Sequence, residues 1–297
     1  MITIVEIKGE FDKNKIFNAS PWYVYEAPLS KLKQRLNGEY AVHIYNSEGK
    51  RLAVTYFDAV NNYRSIGSKH YDKAEMRIPV QLFVKFDTQA SKIVIFRGDV
   101  EIYSRNVSSK PPEVKFTGLT ENQTISGKMS ITWEASGSET GELFYKLWYY
   151  PRETESYTLA YDIEESFYRV DMTDYPGTNG GFFLIHATDG VRTVEVKSPL
   201  INKPFKAPEI ITGQSDIPTV KVTEGITFYT RIFDAQDGQM SGSNVSWMLD
   251  GIEVSSTNVL KTQPYQLTPG QYTFICEATN SAGISARKAF TFEIISN

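Results

Sequence analysis

The sequence predicts an all-β fold built from sandwiches of antiparallel strands, and three observations lead to it. Short segments in which apolar and polar residues alternate recur along the whole 297-residue chain. Turn pairs such as Pro-Gly and Asp-Gly separate these segments at short intervals. Aromatic residues, which favour strands, make up 13% of the sequence. Alternation of period two between regular turn signals is typical of sandwiches.

The alternation predicts strands in all parts of the chain. In order, the clearest are Tyr40-Ala-Val-His-Ile-Tyr45, Lys92-Ile-Val-Ile-Phe96, Ser130-Ile-Thr-Trp133, Leu143-Phe-Tyr-Lys-Leu-Trp-Tyr149, Phe182-Phe-Leu-Ile-His186 and Tyr272-Thr-Phe-Ile-Cys276. One segment, Ser30 to Leu36, has its leucines at helical spacing behind a candidate Ser30 cap, which predicts a helix of about two turns at most.

Two joints rich in proline divide the chain. Pro111 and Pro112 lie in the first joint, and Pro204 and Pro208 lie in the second. Proline removes a ladder donor and stiffens the backbone, so a strand ends on one side of each joint and another begins beyond it. We therefore predict three tandem sandwich modules: the first module (1–110), the second module (111–207) and the third module (208–297).

Charge and residue counts exclude several classes of function. The net charge is −4, which predicts no nucleic-acid partner, and three His with one Cys cannot build a Cys/His zinc cluster. The longest apolar runs are too short for a membrane helix, so we expect no membrane insertion. Glu6 interrupts the N-terminal apolar run, so a secretory signal is not expected within this chain.

The charge is distributed unevenly among the predicted modules. The first module has 17 basic and 12 acidic residues (+5), the second has 9 and 14 (−5), and the third has 5 and 9 (−4). Scatter of solvated surface charge accounts for this most simply. The alternative is electrostatic stacking of the basic first module on the second module, or self-association with the acidic modules of a neighbouring molecule.

The second module carries residues that resemble a fibronectin type III domain. Ser130-Ile-Thr-Trp133 resembles strand B with its core Trp, and the following segment resembles strand C, with Tyr145 and Leu147 facing inward. The resemblance implies that Trp133, Tyr145 and Leu147 lie in the structural core. Pro176-Gly177 and the strand after it are similar to the variants that follow secreted bacterial and archaeal peptidases.

The third module resembles an immunoglobulin-like domain of the PKD type. Its strand C would contain Trp247, and Tyr272 follows Pro-Gly-Gln as in PKD modules. The resemblance implies a structural core that includes Trp247, Tyr272 and Cys276. The B strand has no Cys to pair with Cys276, so we expect this thiol to be a small buried apolar group. In the first module, residues 40–52 are similar to a hairpin of sandwich modules next to such peptidases.

No catalytic motif accompanies these modules. His-Glu-x-x-His and Gly-x-Ser-x-Gly are both absent from the sequence, as are the phosphate-binding fingerprints of nucleotide enzymes. We therefore predict that the chain is not an enzyme.

Two further sets of residues suggest binding. Asp234 and Asp237 form a weak candidate for a calcium site, the one cofactor considered, although a solvated Asp-Gly turn is the favoured interpretation. Exposed aromatic residues could stack on sugars, but packing in a core or between modules is favoured for them. The candidates for contact with a carbohydrate or another partner are Trp22, Tyr23, Tyr25, Trp148 and Tyr150.

The leading functional hypothesis is a non-catalytic spacer, adhesion or accessory region of an extracellular or cell-surface protein, for example the C-terminal part of a secreted peptidase. Its partner would be a protein or a component of the cell surface. The alternative is a structural subunit of a surface filament, sheath or virion appendage. Carbohydrate binding is a third, minor hypothesis.

Overall fold

The computed structural model describes residues 1–32, 35–59, 77–139, 141–211 and 219–296. These residues form sheets in which all but two of the strand pairs are antiparallel, with a few 3₁₀ turns, so the predicted all-β class is confirmed. Within them, no helix has the length and apolar character that crossing a bilayer requires.

In the described part of the first module, two sheets pack face to face. The strands are β1 (Ile2–Phe11), β2 (Phe17–Ala19), β3 (Tyr23–Ala27), β4 (Tyr40–Asn46), β5 (Arg51–Phe57), β6 (Ile78–Lys85), β7 (Ala90–Arg97) and β8 (Val100–Asn106). In one sheet, β1 pairs antiparallel with β2, β3 and β6. The other has the order β5-β4-β7-β8.

The predicted two-turn segment, Ser30 to Leu36, lies partly outside the described residues, which do not include residues 33–34. At its start the chain forms a 3₁₀ turn, Leu29–Lys31, whose N-cap residue is Pro28 and not Ser30. No side chain caps this turn, and Leu29 and Leu36 are largely exposed. Short helices need an apolar face packed against the protein, and these two exposed leucines do not supply one.

The second module contains a three-stranded sheet facing a larger one. Its strands are β9 (Glu113–Thr117), β10 (Gln123–Thr124), β11 (Lys128–Ser136), β12 (Phe144–Arg152), β13 (Glu155–Ile163), β14 (Phe167–Asp171), β15 (Thr178–Thr188), β16 (Thr193–Lys197) and β17 (Ile201–Lys203), with a 3₁₀ turn at Met172–Asp174. The sheets have the orders β14-β11-β9 and β10-β17-β15-β12-β13, and β16 also pairs with β15.

The third module has the same two-layer plan with shorter strands. They are β18 (Glu209–Ile211), β19 (Thr219–Lys221), β20 (Thr227–Tyr229), β21 (Arg231–Asp234), β22 (Gly238–Gln239), β23 (Val245–Leu249), β24 (Ile252–Ser255), β25 (Val259–Lys261), β26 (Gly270–Thr279) and β27 (Ser285–Ile295), with a 3₁₀ turn at Gly242–Asn244. The main sheet has the order β19-β27-β26-β23-β24 and lies opposite the three-stranded sheet β18-β21-β22 and the pair β20-β25.

Each pair of layers encloses a hydrophobic cluster formed by the inward-facing residues of its strands. The sequence-predicted core residues Trp133, Tyr145, Leu147, Trp247 and Cys276 are all buried. Tyr272 is only half-buried, because it lies near the start of β26. Its hydroxyl lies 2.9 Å from the Thr268 hydroxyl, and Phe274, two residues further along the same face, is fully buried.

Candidate functional site

The first and second modules share a contact surface, here called the seam. It joins β1 and β3 of the first module to β12, β15 and β16 of the second. Because side chains alternate along a strand, Tyr145 and Leu147 point into the core of the second module, while Lys146 and Trp148 point away from it. Of these two outward residues, Lys146 meets the first module.

A buried ion pair lies in the seam. Lys146 Nζ donates a hydrogen bond of 2.9 Å to Glu6 Oε2, and the two side chains are only 6% and 7% exposed. Gln81 Nε2 donates to the other Glu6 oxygen at 2.6 Å, and Lys8 Nζ lies 3.3 Å from it. The Lys146 ammonium also lies 3.7 Å from the centre of the Tyr23 ring. These contacts satisfy both charges.

The charges in this pair perturb each other's protonation. Burial raises the pKa of Glu6, but the Lys146 charge and the hydrogen bonds from Lys146 and Gln81 outweigh burial, so the pKa lies below its ordinary value. Burial lowers the pKa of Lys146, and Glu6 offsets only part of that effect. The carboxylate form of Glu6 is thus favoured by the folded protein.

A bulge in β13 brings a second carboxylate to the seam. The register shifts between the Tyr145–Ile163 and Leu147–Ala160 pairs, and Asp162 adopts a left-handed backbone with φ of 51°. This geometry lets Asp162 Oδ1 accept a hydrogen bond of 2.9 Å from the Tyr23 hydroxyl. Burial, together with Asp162, raises the pKa of Tyr23, so its hydroxyl stays protonated and keeps donating.

Two arginines, one from each module, cross the seam to carbonyl oxygens of the other. Arg105 donates to Gly190 O at 2.8 Å, and its guanidinium lies 4.5 Å from the Trp22 ring centre. Arg192 donates to Ser108 O at 3.0 Å and to Thr88 O at 2.8 Å. Arginine suits this position because its planar guanidinium stacks and donates several hydrogen bonds at once.

The backbones of the two modules are also joined directly. Trp22 N donates to Gly190 O at 3.1 Å, and the Thr188 hydroxyl donates to Trp22 O at 2.7 Å. Val24 N donates to the Thr193 hydroxyl at 2.8 Å. Val191, a residue of the second module, is 1% exposed within the hydrophobic cluster of the first module. The first module's core is therefore completed by the second module.

His186 lies among aromatic rings at the edge of the seam. Its ring centre is 4.7 Å from that of Trp148 and 6.5 Å from that of Tyr25 in the first module. Its Nε2 lies 2.8 Å from Glu195 Oε2. Burial lowers the pKa of His186, Glu195 opposes the shift and Lys146 adds to it, so the net pKa is below 6.5. Burial also raises the pKa of Tyr25 to about 12.

The structure corrects part of the carbohydrate prediction. Trp22 and Tyr23 have no exposed surface and belong to the seam, so neither ring presents a face to a sugar. Tyr150 stacks on Phe182, with ring centres 4.9 Å apart and an angle of 6° between the planes. Trp148 meets His186 and Tyr161 at steep angles of 60° and 87°. Packing, the favoured interpretation of these aromatics, describes the observed contacts.

The calcium candidates lie near the second joint, away from the seam. Asp234 is buried, and its carboxylate accepts from Gln236 N, Asp237 N and Asn280 Nδ2 at 2.8 to 3.1 Å. Both oxygens of Asp237 accept from Ser281 at 2.6 Å. Within the described ranges, no group of three or more His, Cys, Asp or Glu side chains is placed to hold a metal. Calcium binding stays a prediction from the sequence.

Sequence reasoning did not find the charged residues of the seam. Lys146 is the residue that could have indicated a buried contact, because it is a charged residue in the middle of an aromatic and aliphatic strand. Such a residue must reach either solvent or a partner on the outer face of the sheet. Its partner, Glu6, is 140 residues away in sequence, and no local pattern indicates that separation.

The sheet orders define the class of the molecule: its described parts are β-sandwich modules of the immunoglobulin-like and fibronectin III-like type. In the second module, β9, β11 and β14 take the places of strands A, B and E, facing a sheet of C, F and G strands. In the third, parallel pairing of β19 with β27 joins the start of the module to its last strand.

No family model and no curated protein sequence matches the chain. Solved structures that resemble it include tandem Ig domains of titin, 14% identical, covering 63% of this chain and 98% of that one with a TM-score of 0.31. Fibronectin(III)-like modules of CbhA from Clostridium thermocellum are 14% identical, covering 62% and 95%, with a TM-score of 0.25. Dimeric latent PorU from Porphyromonas gingivalis is 12% identical, covering 65% and 25%, with a TM-score of 0.24. The class rests on the sheet orders.

Proposed function

We propose that the chain is a non-catalytic spacer and adhesion region of an extracellular or cell-surface protein, of the kind that accompanies a secreted peptidase. The observation that carries the proposal is the seam. Its buried side chains and hydrogen bonds hold the first and second sandwiches together. A protein that holds two modules at a fixed distance from each other needs this kind of joint.

The chemistry of the seam supports a structural role for it. Lys146, Glu6, Tyr23 and Asp162 are each engaged by the opposite module, and Lys146 and Glu6 are almost completely covered. A catalytic nucleophile or base has to reach a substrate, and the charged atoms of Lys146 and Glu6 are covered on all sides. The contacts are those of an interface between domains.

Localisation of the native protein in its own cells tests the proposal. Antibodies raised against the purified chain should label intact cells or detect the protein in the culture medium, and external protease should remove the signal from cells. A cytosolic enzyme assayed in parallel controls for lysis. Detection of the protein only together with that cytosolic enzyme would contradict an extracellular role.

A second candidate function is a subunit of a surface assembly, and one observation favours it. The outer face of β20 and β21 in the third module exposes Tyr229 (68%) and Phe233 (52%), with Ile211 (43%) beside Arg231 on the same face. Clustered exposed apolar side chains mark protein interaction sites. In this candidate, the face packs against a second copy of the chain.

Light scattering of the purified chain over a range of concentrations distinguishes the two candidates. The assembly candidate predicts a mass that rises with concentration and returns to that of one chain in a Tyr229→Ser/Phe233→Ser variant. A monomer at all concentrations and salt levels contradicts it and agrees with the spacer. Glu253→Gln, at an exposed position of β24, serves as a surface control.

A further inference from the structure

The two proline-marked joints of the chain are built differently. We infer that the first and second modules move as one rigid arm, while the third module swivels about residues 204–208. The inference concerns the mechanics of the chain and is independent of where the protein is located. It rests on the contacts on either side of each joint.

The first joint is fixed by contacts on both of its sides. Ser108 is buried, and its carbonyl accepts from Arg192 Nε of the second module at 3.0 Å. The next residue, Ser109, donates from its backbone N and its hydroxyl to the Glu139 carboxylate. The linker is therefore part of the packed structure. A rotation of the first module would break these bonds together with the seam.

A rotation at the seam would also expose buried groups. It would separate Lys146 from Glu6, and each charge would lose its partner in surroundings with little water. It would withdraw Val191 from the first module's hydrophobic cluster. Because these losses occur together, no small rotation avoids them. The seam has a single stable arrangement.

The second joint is attached through the linker itself. Phe205 packs so closely on Gly177 that a Cβ at Gly177 would lie 2.6 Å from the Phe205 ring. On the other side, Asn280 Nδ2 of the third module donates to Lys206 O at 2.7 Å. Each module thus holds its own end of the linker. Because Phe205 and Lys206 are adjacent, the rotation is confined to the backbone torsions between the Phe205 ring contact and the Lys206 carbonyl, and it breaks neither contact.

Direct bonds between the second and third modules are few and weak in the part of the chain that the structure describes. Gly177 N donates to Gln236 Oε1 at 3.3 Å, a long hydrogen bond, and Gln236 Nε2 is covered without a partner. Lys206 reaches Asp174 at 3.4 Å, but their side chains are 45% and 96% exposed, so solvent screens the pair. These contacts can be broken and replaced by water.

Distances between spin labels in the full chain test the inference. The labels are placed at exposed positions, one in each module: Ser47→Cys in the first, Glu153→Cys in the second and Ser256→Cys in the third. The native thiol, Cys276, is fully buried and stays unlabelled, which a wild-type labelling control verifies. Pulsed electron paramagnetic resonance then gives the distance distribution for each pair.

We expect a narrow distribution for the 47/153 pair and one at least twice as wide for the 153/256 pair. Two equally narrow distributions would overturn the swivel, and a wide 47/153 distribution would overturn the rigid arm. A Gln236→Ala/Asp174→Ala background should widen the 153/256 distribution and leave the 47/153 distribution unchanged. Arg192→Ala should affect only the 47/153 pair. Widening of both distributions by either background would contradict independent joints.

Discussion

Lys146 of the acidic second module lies 2.9 Å from Glu6 of the basic first module, so the central ion pair of the seam has the opposite polarity to the modules that it joins. The net charges of +5 and −5 allowed electrostatic stacking of these modules as the alternative to scattered surface charge. They did not indicate its geometry. The seam is specified by individual buried groups, while the remaining charges are spread over solvated surfaces.

Removing one member of this pair should destabilise the folded chain strongly. Glu6→Gln or Lys146→Met alone leaves a buried charge without its partner, at a cost of about 3–5 kcal/mol. The double variant should recover much of that loss, because no charge is then left alone. Urea denaturation of the four proteins measures these differences. Glu10→Gln is the matched control, since Glu10 pairs with exposed Arg77 and should change the stability by less than about 1 kcal/mol.

Arg105→Lys should weaken the seam although the charge is kept. The ammonium cannot reproduce the guanidinium stacked on Trp22 or its hydrogen bonds to Ser20 O and Gly190 O. We expect a loss of about 1–3 kcal/mol in the free energy of unfolding. Arg97→Lys, on an exposed side chain next to Glu39, is the control and should be nearly neutral. Equal effects of the two substitutions would argue against the stacked geometry.

Trp133→Ala and Trp247→Ala should each cost about 3–5 kcal/mol, because both rings fill the core of a sandwich. The indole nitrogens of both residues are buried without a partner, so Trp→Phe removes no hydrogen bond and should cost less than Trp→Ala at either position. Chemical denaturation of the four variants gives the comparison. Losses below 1 kcal/mol for the alanine variants would refute the core placement.

The stability of the chain should fall as the pH decreases from neutral. The folded pKa of His186 is below 6.5, so its contribution is complete above pH 6.5 and is lost as the unfolded state takes up a proton first. Glu6 acts in the same direction at lower pH: its contribution is complete above pH 4.5 and is lost as the pH falls through its lowered folded pKa. Thermal unfolding measured from pH 8 to pH 3 should show both steps.

Substitution separates the two steps. His186→Asn should reduce the dependence between pH 7 and pH 5, to which His43 also contributes because burial lowers its pKa, and should leave the acid step in place. Glu6→Gln should reduce the acid step, to which Glu101, Glu139 and Asp171 also contribute because their pKa values are lowered. If the His186 variant kept the full dependence above pH 5, another group would have to carry it.

Cys276 should be unreactive in the native protein. It has no exposed surface, and burial raises the pKa of its thiol to about 11, so almost none is thiolate at pH 8. A thiol reagent at pH 8 should modify one thiol per chain only after denaturant is added. Electrophoretic mobility should be the same with and without reductant. Rapid modification of the native chain would show that β26 is placed incorrectly.

The sequence predicted the fold class well, and the reason is local. Alternation around Trp133, Leu147 and Trp247 requires one face of each strand to be buried, and the structure buries those residues. At Ser30 to Leu36, part of which lies outside the described residues, leucine spacing predicts a helix only if a neighbouring surface covers the leucines, and Leu29 and Leu36 are largely exposed. No local sequence pattern predicts which residues form the seam. Trp22 and Tyr23 were recognised as notable aromatics, but Glu6, Arg105 and Arg192 acquire their roles only when distant strands meet.

The position of Val191 also affects when the first module can complete its core during translation. A ribosome releases the first module about 80 residues before Val191, which corresponds to roughly 4–16 s at ordinary rates of elongation. During that time the first sandwich has a gap in its apolar cluster, and Glu6 has no lysine from the second module. The nascent first module therefore stays incompletely packed until the second module emerges, and the two modules complete their packing together.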